Sequence, residues 1–394
     1  MQVKKLDNYG RGITYYKDKI CFVNNALPEE EISIKDIKNK KKFYECEVDK
    51  IIEESYHRVT PKCPHYKECG GCNIMHMSDT LQREFKNNKV SEILSKYAST
   101  DIEVKLIENN QQLFYRNKIT LKIENGLWGY FNSRTHNLTN IKSCLIAKND
   151  INEIIYNHKF IDIKNGEVII RINQDKELLI IVKSNEEVTI KEELIPTNVL
   201  GIVLNEKTIY GENYFYDYID KFKFKVSYNS FFQVNNYMAG RIFDILKGNL
   251  KGTNLLDLYC GVGTLGISIA KNFKNVYGIE IIENAILDAK HNAEINKIKN
   301  THYYAGSTDK ILNDLNVKFD TVILDPPRSG LNSETIKQVL DINPLTIAYV
   351  SCDPMTLARD IKILSENYNV VKANALEMFP NTYHVESLVI LERK

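Results

Sequence analysis

Two residues near the carboxyl end of the chain have side chains suited to covalent chemistry. Cys352 follows the apolar run LTIAYVS and precedes Asp353, Pro354 and a predicted helix. A thiol between a strand end and a helix N-terminus is expected to have a lowered pKa, which makes it a better nucleophile. Glu386 lies in HVES just before the last apolar run, where its carboxylate is a candidate general base. A buried inert cysteine and a surface glutamate are the alternative interpretations.

A glycine-rich segment and a downstream acidic residue predict a nucleoside-binding site. The segment DLYCGVGTLG places Gly261, Gly263 and Gly266 as G-x-G-x-x-G between a predicted strand and a predicted helix. Glu280 ends the next predicted strand, where a carboxylate accepts hydrogen bonds from both hydroxyl groups of a ribose. These residues alone fit a nicotinamide dinucleotide or S-adenosylmethionine. Asp325 and the two prolines after it form a rigid strand-end turn, which favours the methyl donor.

These candidate residues fit one reaction. C5 of uridine is too weak a nucleophile to attack a sulfonium methyl group, but addition of a thiolate to C6 makes C5 an enolate-like carbon. C5 then takes the methyl group, a base removes the C5 proton, and the thiol is eliminated. Cys352, Glu386 and a methyl-donor site therefore predict methylation of a uracil at C5.

Over nearly its whole length the sequence resembles the TRAM-containing class I RNA uracil-C5 methyltransferases, which make 5-methyluridine in ribosomal or transfer RNA. YGRGI and FVNNALPEE are similar to a TRAM domain, and FFQVNN, DLYCGVG, GIE, DPPRSG, VSCDP and HVE follow the family's catalytic motifs in order. The resemblance implies that Cys352 is the nucleophile, that Glu386 is the base and that S-adenosylmethionine is the cofactor.

The same resemblance assigns the binding residues. It implies that five residues contact the cofactor or the target base: Gln233, Tyr259, Gly261, Glu280 and Asp325. Phe231 matches the family's aromatic residue that stacks near the flipped uracil. The roles of Thr264 and Ser307 stay open, since Thr264 stands where some members have asparagine.

The cysteines predict a second site. Cys63, Cys69 and Cys72 form C-x5-C-G-G-C, and Cys144 in IKSCLIA is the natural fourth ligand. A thiolate-only set suits an iron–sulfur cluster or zinc equally well. In the family that the chain resembles, the matching four cysteines bind a [4Fe–4S] cluster, so we expect a structural cluster here, with zinc as the alternative. The other cysteines are dispersed, unlike those of a disulfide-stapled secreted module.

The elements around these residues divide the chain into three predicted domains. Residues 1–59 contain short alternating strands, an OB-like β-barrel that the resemblance identifies as a TRAM RNA-binding domain. Residues 60–226 form a β-rich central domain with the four-cysteine site, predicted as an antiparallel sheet with helices near 78–98 and 151–160. Residues 227–394 alternate strands and amphipathic helices, which predicts an α/β Rossmann-like methyltransferase domain.

Composition indicates how an RNA must be held. The 394 residues are 43% hydrophobic and 26% charged, as in a folded protein of two or three domains. A net charge of +1 means that RNA is bound by local patches, for which we expect the barrel and the segment with Arg116, Lys118 and Lys122. The N-terminus lacks an apolar leader segment, and no run reaches the roughly 18 apolar residues of a membrane span. The expectation is a cytoplasmic protein with no membrane contact.

Two other functions remain open. Cytosine-C5 methylation also needs an attacking cysteine, and a non-catalytic RNA-binding protein could retain the same fold. DPPR followed by SCDP and HVE favours uracil, and the presence of both Cys352 and Glu386 argues against loss of catalysis. Family members with a TRAM domain and four cysteines usually act on 23S ribosomal RNA, which is therefore the expected partner, with transfer RNA as the alternative. A monomer without an obligate protein partner is expected.

Overall fold

The N-terminal part of the chain forms a five-stranded sheet. The computed structural model describes residues 1–132 and 135–394. The strands are β1 (Lys5–Leu6), β2 (Gly12–Tyr16), β3 (Lys19–Asn24), β4 (Glu31–Asn39) and β5 (Tyr44–Glu53), in the order β1-β2-β3-β5-β4. Their alternating pattern buries Val23 and Ile32, and Val3, which precedes β1, packs in the same core. A disulfide joins Cys21 on β3 to Cys46 on β5 in this core, a pairing that the sequence analysis did not predict.

The predicted helix after the cysteine-rich segment is confirmed as α1 (Asp79–Ala98), which begins at Ser78. The Ser78 hydroxyl accepts a hydrogen bond from the backbone N–H of Leu81 at 3.3 Å. The apolar residues that recur at helical spacing, Leu81, Phe85, Val90, Ile93 and Leu94, form a stripe that is buried, and Lys86 is buried as well. Neither α1, with 20 residues, nor any other helix in the described part of the chain is long and apolar enough to cross a membrane. Strand β6 (Val104–Ile107) follows α1.

The central region is built on a seven-stranded sheet. Its elements are β7 (Lys118–Glu124), β8 (Leu127–Phe131), β9 (Leu138–Asn140), α2 (Asn149–Tyr156), β10 (Ile161–Asp162), β11 (Gly166–Ile172), β12 (Leu178–Lys183), β13 (Thr189–Ile190), β14 (Val199–Leu204) and β15 (Lys207–Gly211), with a short 3-10 helix at Glu192–Leu194. The sheet order is β15-β14-β12-β11-β7-β8-β9, and β10 pairs with β13 apart from it. The predicted antiparallel sheet is confirmed for five of its six strand pairs, and the prediction was wrong for the sixth, because β12 and β14 are parallel. The chain between them is long enough for a crossover rather than a tight hairpin.

A two-stranded hairpin links the central sheet to the last domain. It consists of β16 (Tyr214–Ile219) and β17 (Phe222–Ser227), paired antiparallel from Tyr214 opposite Ser227 to Ile219 opposite Phe222. The predicted domain boundary at residue 226 therefore falls at the end of β17. One face of the hairpin, including Phe215, Phe224 and Val226, is part of the core of the last domain.

The C-terminal domain alternates helices and strands. Its elements are α3 (Asn236–Asn249), β18 (Gly252–Leu258), α4 (Thr264–Ile269), β19 (Phe273–Glu280), α5 (Glu283–Ile295), β20 (Thr301–Ala305), α6 (Thr308–Asp314), β21 (Thr321–Leu324), α7 (Ser333–Ile342), β22 (Thr346–Ser351), α8 (Pro354–Leu364), β23 (Tyr368–Leu376) and β24 (Glu386–Arg393), with a 3-10 turn at Ala270–Asn272. The sheet order is β20-β19-β18-β21-β22-β24-β23-β6. Strands β18 to β22 are parallel, and β24 runs antiparallel between β22 and β23.

This sheet has a core on each face and one point where the strand order reverses. Separate clusters of buried side chains cover its two faces, as expected for a doubly wound sheet. From β18 the chain proceeds through β19 to β20 at one edge, then returns to β21 on the other side of β18. Ligands of such sheets bind beyond the carboxyl ends of the strands at this reversal. In this sheet, the strands whose carboxyl ends lie at the reversal are β18, β19, β21 and β22.

Candidate active site

A cleft of about 870 Å³ opens at the carboxyl ends of these strands, between the eight-stranded sheet and strands β7 and β8 of the central sheet. The eight predicted cofactor, base and catalytic residues all line it: Phe231, Gln233, Tyr259, Gly261, Glu280, Asp325, Cys352 and Glu386. They come from loops and strand ends spread over about 150 residues of sequence. The fold therefore brings together the residues that the sequence analysis singled out.

The turn after β18 contains three residues in the left-handed backbone conformation. Tyr259, Gly261 and Gly263 all have positive φ, at 63°, 53° and 83°. Such a conformation is costly for tyrosine, and strained residues of this kind concentrate at functional sites. A methyl group on Gly261 would have no atom within 4 Å, so this glycine is required by its φ and leaves backbone open to the cleft. Asp257 accepts a hydrogen bond from Gly266 N–H at 2.9 Å and fixes the start of α4.

Glu280 is oriented by two backbone groups at the end of β19. Its Oε2 accepts a hydrogen bond from Gly261 N–H at 3.2 Å, and its Oε1 accepts one from Ile282 N–H at 3.0 Å. These bonds join the end of β19 to the turn after β18. The remaining lone pairs of a carboxylate so placed can accept hydrogen bonds from a ribose.

The segment after β21 is braced by α8. The Arg328 carbonyl accepts a hydrogen bond from the Thr356 hydroxyl at 3.2 Å, and Arg359 donates to the Ser329 carbonyl at 3.1 Å. Asp325 precedes these residues and lines the cleft. Burial raises the pKa of Asp325 to about 7, although part of its surface is open to the cleft. A ligand with a hydrogen-bond donor would restore the ionised form.

Cys352 lies between β22 and the N-cap residue of α8, Asp353. The sequence-based expectation of a lowered thiol pKa was wrong, since the pKa of Cys352 is raised to about 11. Removal of the thiol from water is the main cause, and the negative charge of Glu386 adds to it. The positive charge and a hydrogen bond of Arg328 act in the opposite direction. Burial has the largest effect here, because an ionised sulfur loses its hydration.

Glu386 is the first residue of β24 and is buried, with 4% of its surface exposed. Burial raises its pKa well above the ordinary value, the charge of Asp325 raises it further, and Arg328 lowers it. A carboxyl group in this setting is a stronger base once it has lost its proton. The cleft therefore combines a thiol and a carboxyl whose proton affinities are both increased, with one guanidinium that favours the anionic forms of both.

Comparisons with known proteins identify the family. Residues 82–394 match the sequence profile of the tRNA (uracil-5-)-methyltransferases. An uncharacterised RNA methyltransferase of Clostridium acetobutylicum is 34% identical over 98% of this chain and 95% of its own length. The chain belongs to the tRNA (uracil-5-)-methyltransferase family. A similar relative in Halalkalibacterium halodurans is 31% identical over 100% of this chain and 96% of its own length.

A solved structure has the same architecture as this family member. The crystal structure of Pyrococcus abyssi tRNA (uracil-54, C5)-methyltransferase, in complex with S-adenosyl-L-homocysteine, is similar with a TM-score of 0.81. The two chains are 27% identical, and the similarity covers 99% of each. The predicted enzyme class, an S-adenosylmethionine-dependent RNA uracil-C5 methyltransferase, and its methyltransferase fold are thereby confirmed.

In this uracil-5-methyltransferase, helix α1 holds the segment that leads to Glu386. We call residues 377–385 the base loop. Lys86 donates a hydrogen bond to the Phe379 carbonyl at 3.0 Å, and Lys89 donates one to the Tyr383 carbonyl at 3.0 Å. At the start of the loop, Nε of Arg83 donates to the fully buried Glu377 at 3.2 Å. The approach to Glu386 is therefore fixed by a helix from the central region.

The cysteine-rich segment contacts the base loop directly. The Asn381 carbonyl accepts hydrogen bonds from Asn73 N–H at 3.1 Å and Ile74 N–H at 3.2 Å. Asn235, which begins α3 after Phe231 and Gln233, donates a hydrogen bond to the Met378 carbonyl at 3.1 Å. The loop that leads to the predicted base is thus hydrogen-bonded to the cysteine-rich segment and to the residue that follows Phe231 and Gln233 at the start of α3.

The four predicted ligand cysteines line a separate cavity of about 50 Å³: Cys63, Cys69, Cys72 and Cys144. Burial raises the pKa of each of the last three thiols, that of Cys69 to about 11, and their mutual negative charge adds to the effect. Arg116, which also lines the catalytic cleft, opposes this rise at Cys72 and Cys144. Within residues 1–132 and 135–394, no three His, Cys, Asp or Glu residues are arranged closely enough to hold a metal ion. The fold gathers the four thiols without forming a finished metal-binding group.

Sequence reasoning assigned no role to several residues that line the cleft, among them Arg328, Tyr130 and Phe379. Arg328 belongs to the recognised DPPRSG motif, so its position beside Asp325 was an available signal. Tyr130 on β8 and Phe379 in the base loop carry no such signal, because only the tertiary fold brings them to the cleft. Of the residues expected to grip RNA, Arg116 and Lys118 line the cleft, whereas Lys122 forms an ion pair with Glu167.

Proposed function

We propose that this enzyme methylates C5 of a uridine in RNA through a transient bond between Cys352 and C6 of the uracil. The observation that carries the proposal is the shared cleft. Cys352 and Glu386 line it together, and the charge of Glu386 raises the pKa of the Cys352 thiol, so the two groups interact electrostatically. A nucleophile and a base must both reach one pyrimidine ring in this reaction.

The reaction follows from the roles of these side chains. Cys352 loses its proton to solvent and its sulfur forms a bond to C6, which places the ring electrons on C5. S-adenosylmethionine, when bound, supplies the electrophilic methyl group. Glu386 then accepts the proton that leaves C5, and the C6–S bond breaks to restore the double bond and release the Cys352 thiolate. Arg328 favours the thiolate at both ends of this sequence, because it lowers the pKa of Cys352.

The cofactor is proposed to bind along the turn after β18. The groups there suit a nucleoside that carries a sulfonium. Glu280 can accept hydrogen bonds from the nucleoside, and the backbone at Gly261 is open to the cleft. We assign five residues to this site: Gln233, Tyr259, Gly261, Glu280 and Asp325. We assign to Phe231, which lines the cleft and is 61% exposed, the role of stacking against the target base outside that site.

Large-subunit ribosomal RNA is the proposed substrate. The support is the combination of an N-terminal strand module with four cysteines that line one cavity. Transfer RNA is the second candidate, because the full-length structural neighbour is a tRNA (uracil-54, C5)-methyltransferase. Mapping of 5-methyluridine by mass spectrometry in both RNAs, from cells with and without the gene, decides between them. Loss of the modification from one RNA identifies the substrate.

The four-cysteine cavity is proposed to hold a structural [4Fe–4S] cluster, with zinc as the alternative. Four partly buried thiols around one space are a chemically suitable ligand set for iron and sulfide. The positive charge of a bound metal would lower the raised pKa values of these thiols. The cluster would order the segment that donates to Asn381 and so support the base loop. We likewise propose residues 1–59 as a TRAM-type RNA-binding module, 60–226 as the central domain and 227–394 as the catalytic domain.

Covalent trapping tests the proposed mechanism. The probe is a transcript of the identified RNA in which 5-fluorouridine replaces uridine, incubated with S-adenosylmethionine. Fluorine at C5 cannot leave as a proton does, so wild-type protein should form an adduct that survives denaturing electrophoresis. Cys352→Ala should form none, whereas Tyr156→Ala, an exposed residue of α2 outside the cleft lining, should form the wild-type amount. Methylation of unmodified RNA by the Cys352→Ala variant would overturn the proposal.

A further inference from the structure

The hairpin of β16 and β17 presents aromatic and cationic side chains in alternation on one face. Tyr214, Tyr216 and Tyr218 lie on this face, while Phe215, Asp217 and Ile219 between them are buried on the other. Two lysines of β17 complete the face, with Lys225 opposite Tyr216 and Lys223 opposite Tyr218. We call the three tyrosines and two lysines the tyrosine ladder.

The rings and ammonium groups of the ladder contact one another. Nζ of Lys225 lies 4.4 Å from the centre of the Tyr214 ring. Nζ of Lys223 lies 4.5 Å from the Tyr216 ring and 5.8 Å from the Tyr218 ring. These cation–π contacts keep the lysines beside the rings and bias the rings toward fixed orientations. The charges nearby are an ion pair of Lys225 with Asp288 at 3.7 Å and the carboxylate of Glu212 beside Tyr214.

Side-chain amides close the edge of β17. Asn292 of α5 accepts a hydrogen bond from Lys225 N–H at 2.6 Å and donates one to the Lys225 carbonyl at 3.1 Å. Asn296, one turn later, makes the same pair with Lys223, at 3.0 and 2.6 Å. The two amides occupy the positions that a further strand would take, so β17 is fixed to α5.

The edge of β16 is closed in the same way. The Tyr216 carbonyl accepts a hydrogen bond from Asn173 at 2.9 Å, and the Tyr218 carbonyl accepts hydrogen bonds from Gln174 at 2.8 Å and Asn236 at 2.7 Å. With both edges satisfied, the hairpin is a rigid platform. Its ladder face is half-buried, with the Tyr216 hydroxyl 3.0 Å from Nε2 of His291, and the rest of that face is open to solvent. A rigid aromatic surface loses little conformational entropy when it binds a ligand.

One end of the ladder adjoins, through Ser227, the segment that leads to the cleft residue Phe231. Tyr214 pairs with Ser227, and the chain then reaches Phe231 four residues later. Asp288 accepts hydrogen bonds from the backbone N–H and hydroxyl of Ser227, both at 3.0 Å, which anchors this end. From Tyr214 to Tyr218 the strand spans roughly 13 Å at about 3.3 Å per residue, room for two or three unstacked nucleotides. An RNA strand leaving Phe231 along β16 would meet the ladder next.

We propose that the tyrosine ladder binds single-stranded nucleotides that flank the target uridine. This inference rests on the proposed function, since it extends the same cleft. Alternating rings and ammonium groups match the alternation of bases and phosphates in an extended strand, and stacking on aromatic rings is open to any base. Duplex RNA offers no unstacked base faces, so the ladder selects unpaired RNA.

Binding of a fluorescein-labelled 12-nucleotide oligouridylate, followed by fluorescence anisotropy, tests the ladder. Tyr216→Ala should weaken binding about fivefold or more, whereas Tyr216→Phe, which keeps the ring and loses only the hydrogen bond to His291, should stay within about twofold. Tyr156→Ala is the matched control, since Tyr156 is 69% exposed on α2 away from the hairpin. A 12-base-pair RNA duplex is the second probe, and its affinity should not change in any of these variants.

Salt dependence gives a second readout that does not rely on removing a ring. Lys223→Gln should lower the slope of log K against log salt by about 0.7 for oligouridylate, while Lys207→Gln on β15 should leave it unchanged. Unchanged affinity in Tyr216→Ala together with an unchanged slope in Lys223→Gln would overturn the ladder proposal. Equal loss of duplex binding would overturn it too. Neither result bears on the proposed function, which fails only if wild-type protein forms no 5-methyluridine in RNA.

Discussion

Gln82 and Asn381 stand 299 residues apart in the chain, yet the backbone N–H of Asn381 donates a hydrogen bond to Oε1 of Gln82 at 2.9 Å. Gln82 belongs to α1, and Asn381 lies in the middle of the base loop. This contact, together with those of Lys86 and Lys89, makes α1 the support on which the approach to Glu386 rests. A helix outside the catalytic domain therefore takes part in positioning the candidate base.

Replacement of Lys86 by methionine should separate stability from activity. Lys86 is fully buried, and burial lowers its pKa to about 8. Methionine fills a similar volume without a buried charge, so stability at neutral pH should be kept or increased. The hydrogen bond to Phe379 is lost, however, and kcat should fall about tenfold or more with a smaller change in the KM for RNA. Lys96→Met at the exposed end of α1 is the control.

The same substitution has a pH signature. Between pH 8 and 10.5 the unfolded chain holds a proton on Lys86 that the folded protein has released. Stability of the wild type therefore rises with pH across this window relative to Lys86→Met. Chemical denaturation at pH 7.5, 9 and 10 measures the difference. A wild-type advantage that shrinks as pH rises would contradict this placement of Lys86.

Adduct formation should accelerate with pH. The pKa of Cys352 is raised to about 11 and that of Glu386 is raised as well, so both active forms become more abundant as pH increases. The single-turnover rate with 5-fluorouridine RNA should rise toward tenfold per unit between pH 7 and 9. A rate that is flat over this range would show that bound RNA and cofactor have already produced the thiolate.

Arg328→Gln should shift this profile to higher pH. Arg328 lowers the pKa of the Cys352 thiol, so its loss reduces the thiolate fraction at every pH below the midpoint. Because Arg328 is exposed and screened by solvent, we expect a rate about three- to tenfold lower at pH 7.5. Arg241→Gln on the surface of α3 is the matched control. Equal rates at pH 7.5 in the Arg328 variant and the wild type would remove Arg328 from the mechanism.

Glu386→Gln should stall the reaction after methyl transfer. Glutamine keeps the size of the side chain but cannot accept the C5 proton, so the C6–S bond has no route to break. RNA that contains ordinary uridine, without fluorine, should then remain bound to Cys352 as a methylated adduct. Denaturing electrophoresis and intact mass would detect this adduct. Normal turnover by this variant would assign the base to another group.

Glu280→Gln should weaken cofactor binding selectively. The amide keeps one acceptor for Gly261 or Ile282 but loses the charge and the paired acceptors offered to a ribose. Isothermal titration with S-adenosylhomocysteine should show affinity about 10- to 100-fold lower, the range for a lost hydrogen bond to a charged group. Glu283→Gln, exposed in the first turn of α5, should bind as the wild type does. An unchanged affinity for Glu280→Gln would place the ribose elsewhere.

Metal analysis of anaerobically purified protein tests the cysteine cavity. A [4Fe–4S] cluster predicts about four iron atoms and four sulfide ions per chain, together with a broad absorption band in the blue part of the visible spectrum. Cys72→Ala should lose most of both, whereas Cys260→Ala should retain them, because Cys260 lies in the catalytic domain core. One zinc per chain without sulfide would favour the alternative.

The sequence alone determined the kinds of chemical groups and the order of the elements. Strand and helix periodicity predicted the doubly wound domain, and the motifs at its strand ends contain Glu280, Asp325 and Cys352. Such local patterns suffice because a parallel sheet must align the ends of its strands at one edge. The stripe of α1 was readable for the same reason, since a periodic apolar face has to be buried.

Only the tertiary structure decided how these groups behave. The raised pKa of Cys352 depends on burial and on Glu386, neither of which is visible in the local sequence around the thiol. Two sets of contacts join segments that are distant in the chain. They are the parallel pairing of β12 with β14 and the hydrogen bonds between α1 and the base loop. Desolvation and long-range hydrogen bonding are properties of the packed molecule, so no local pattern of residues encodes them.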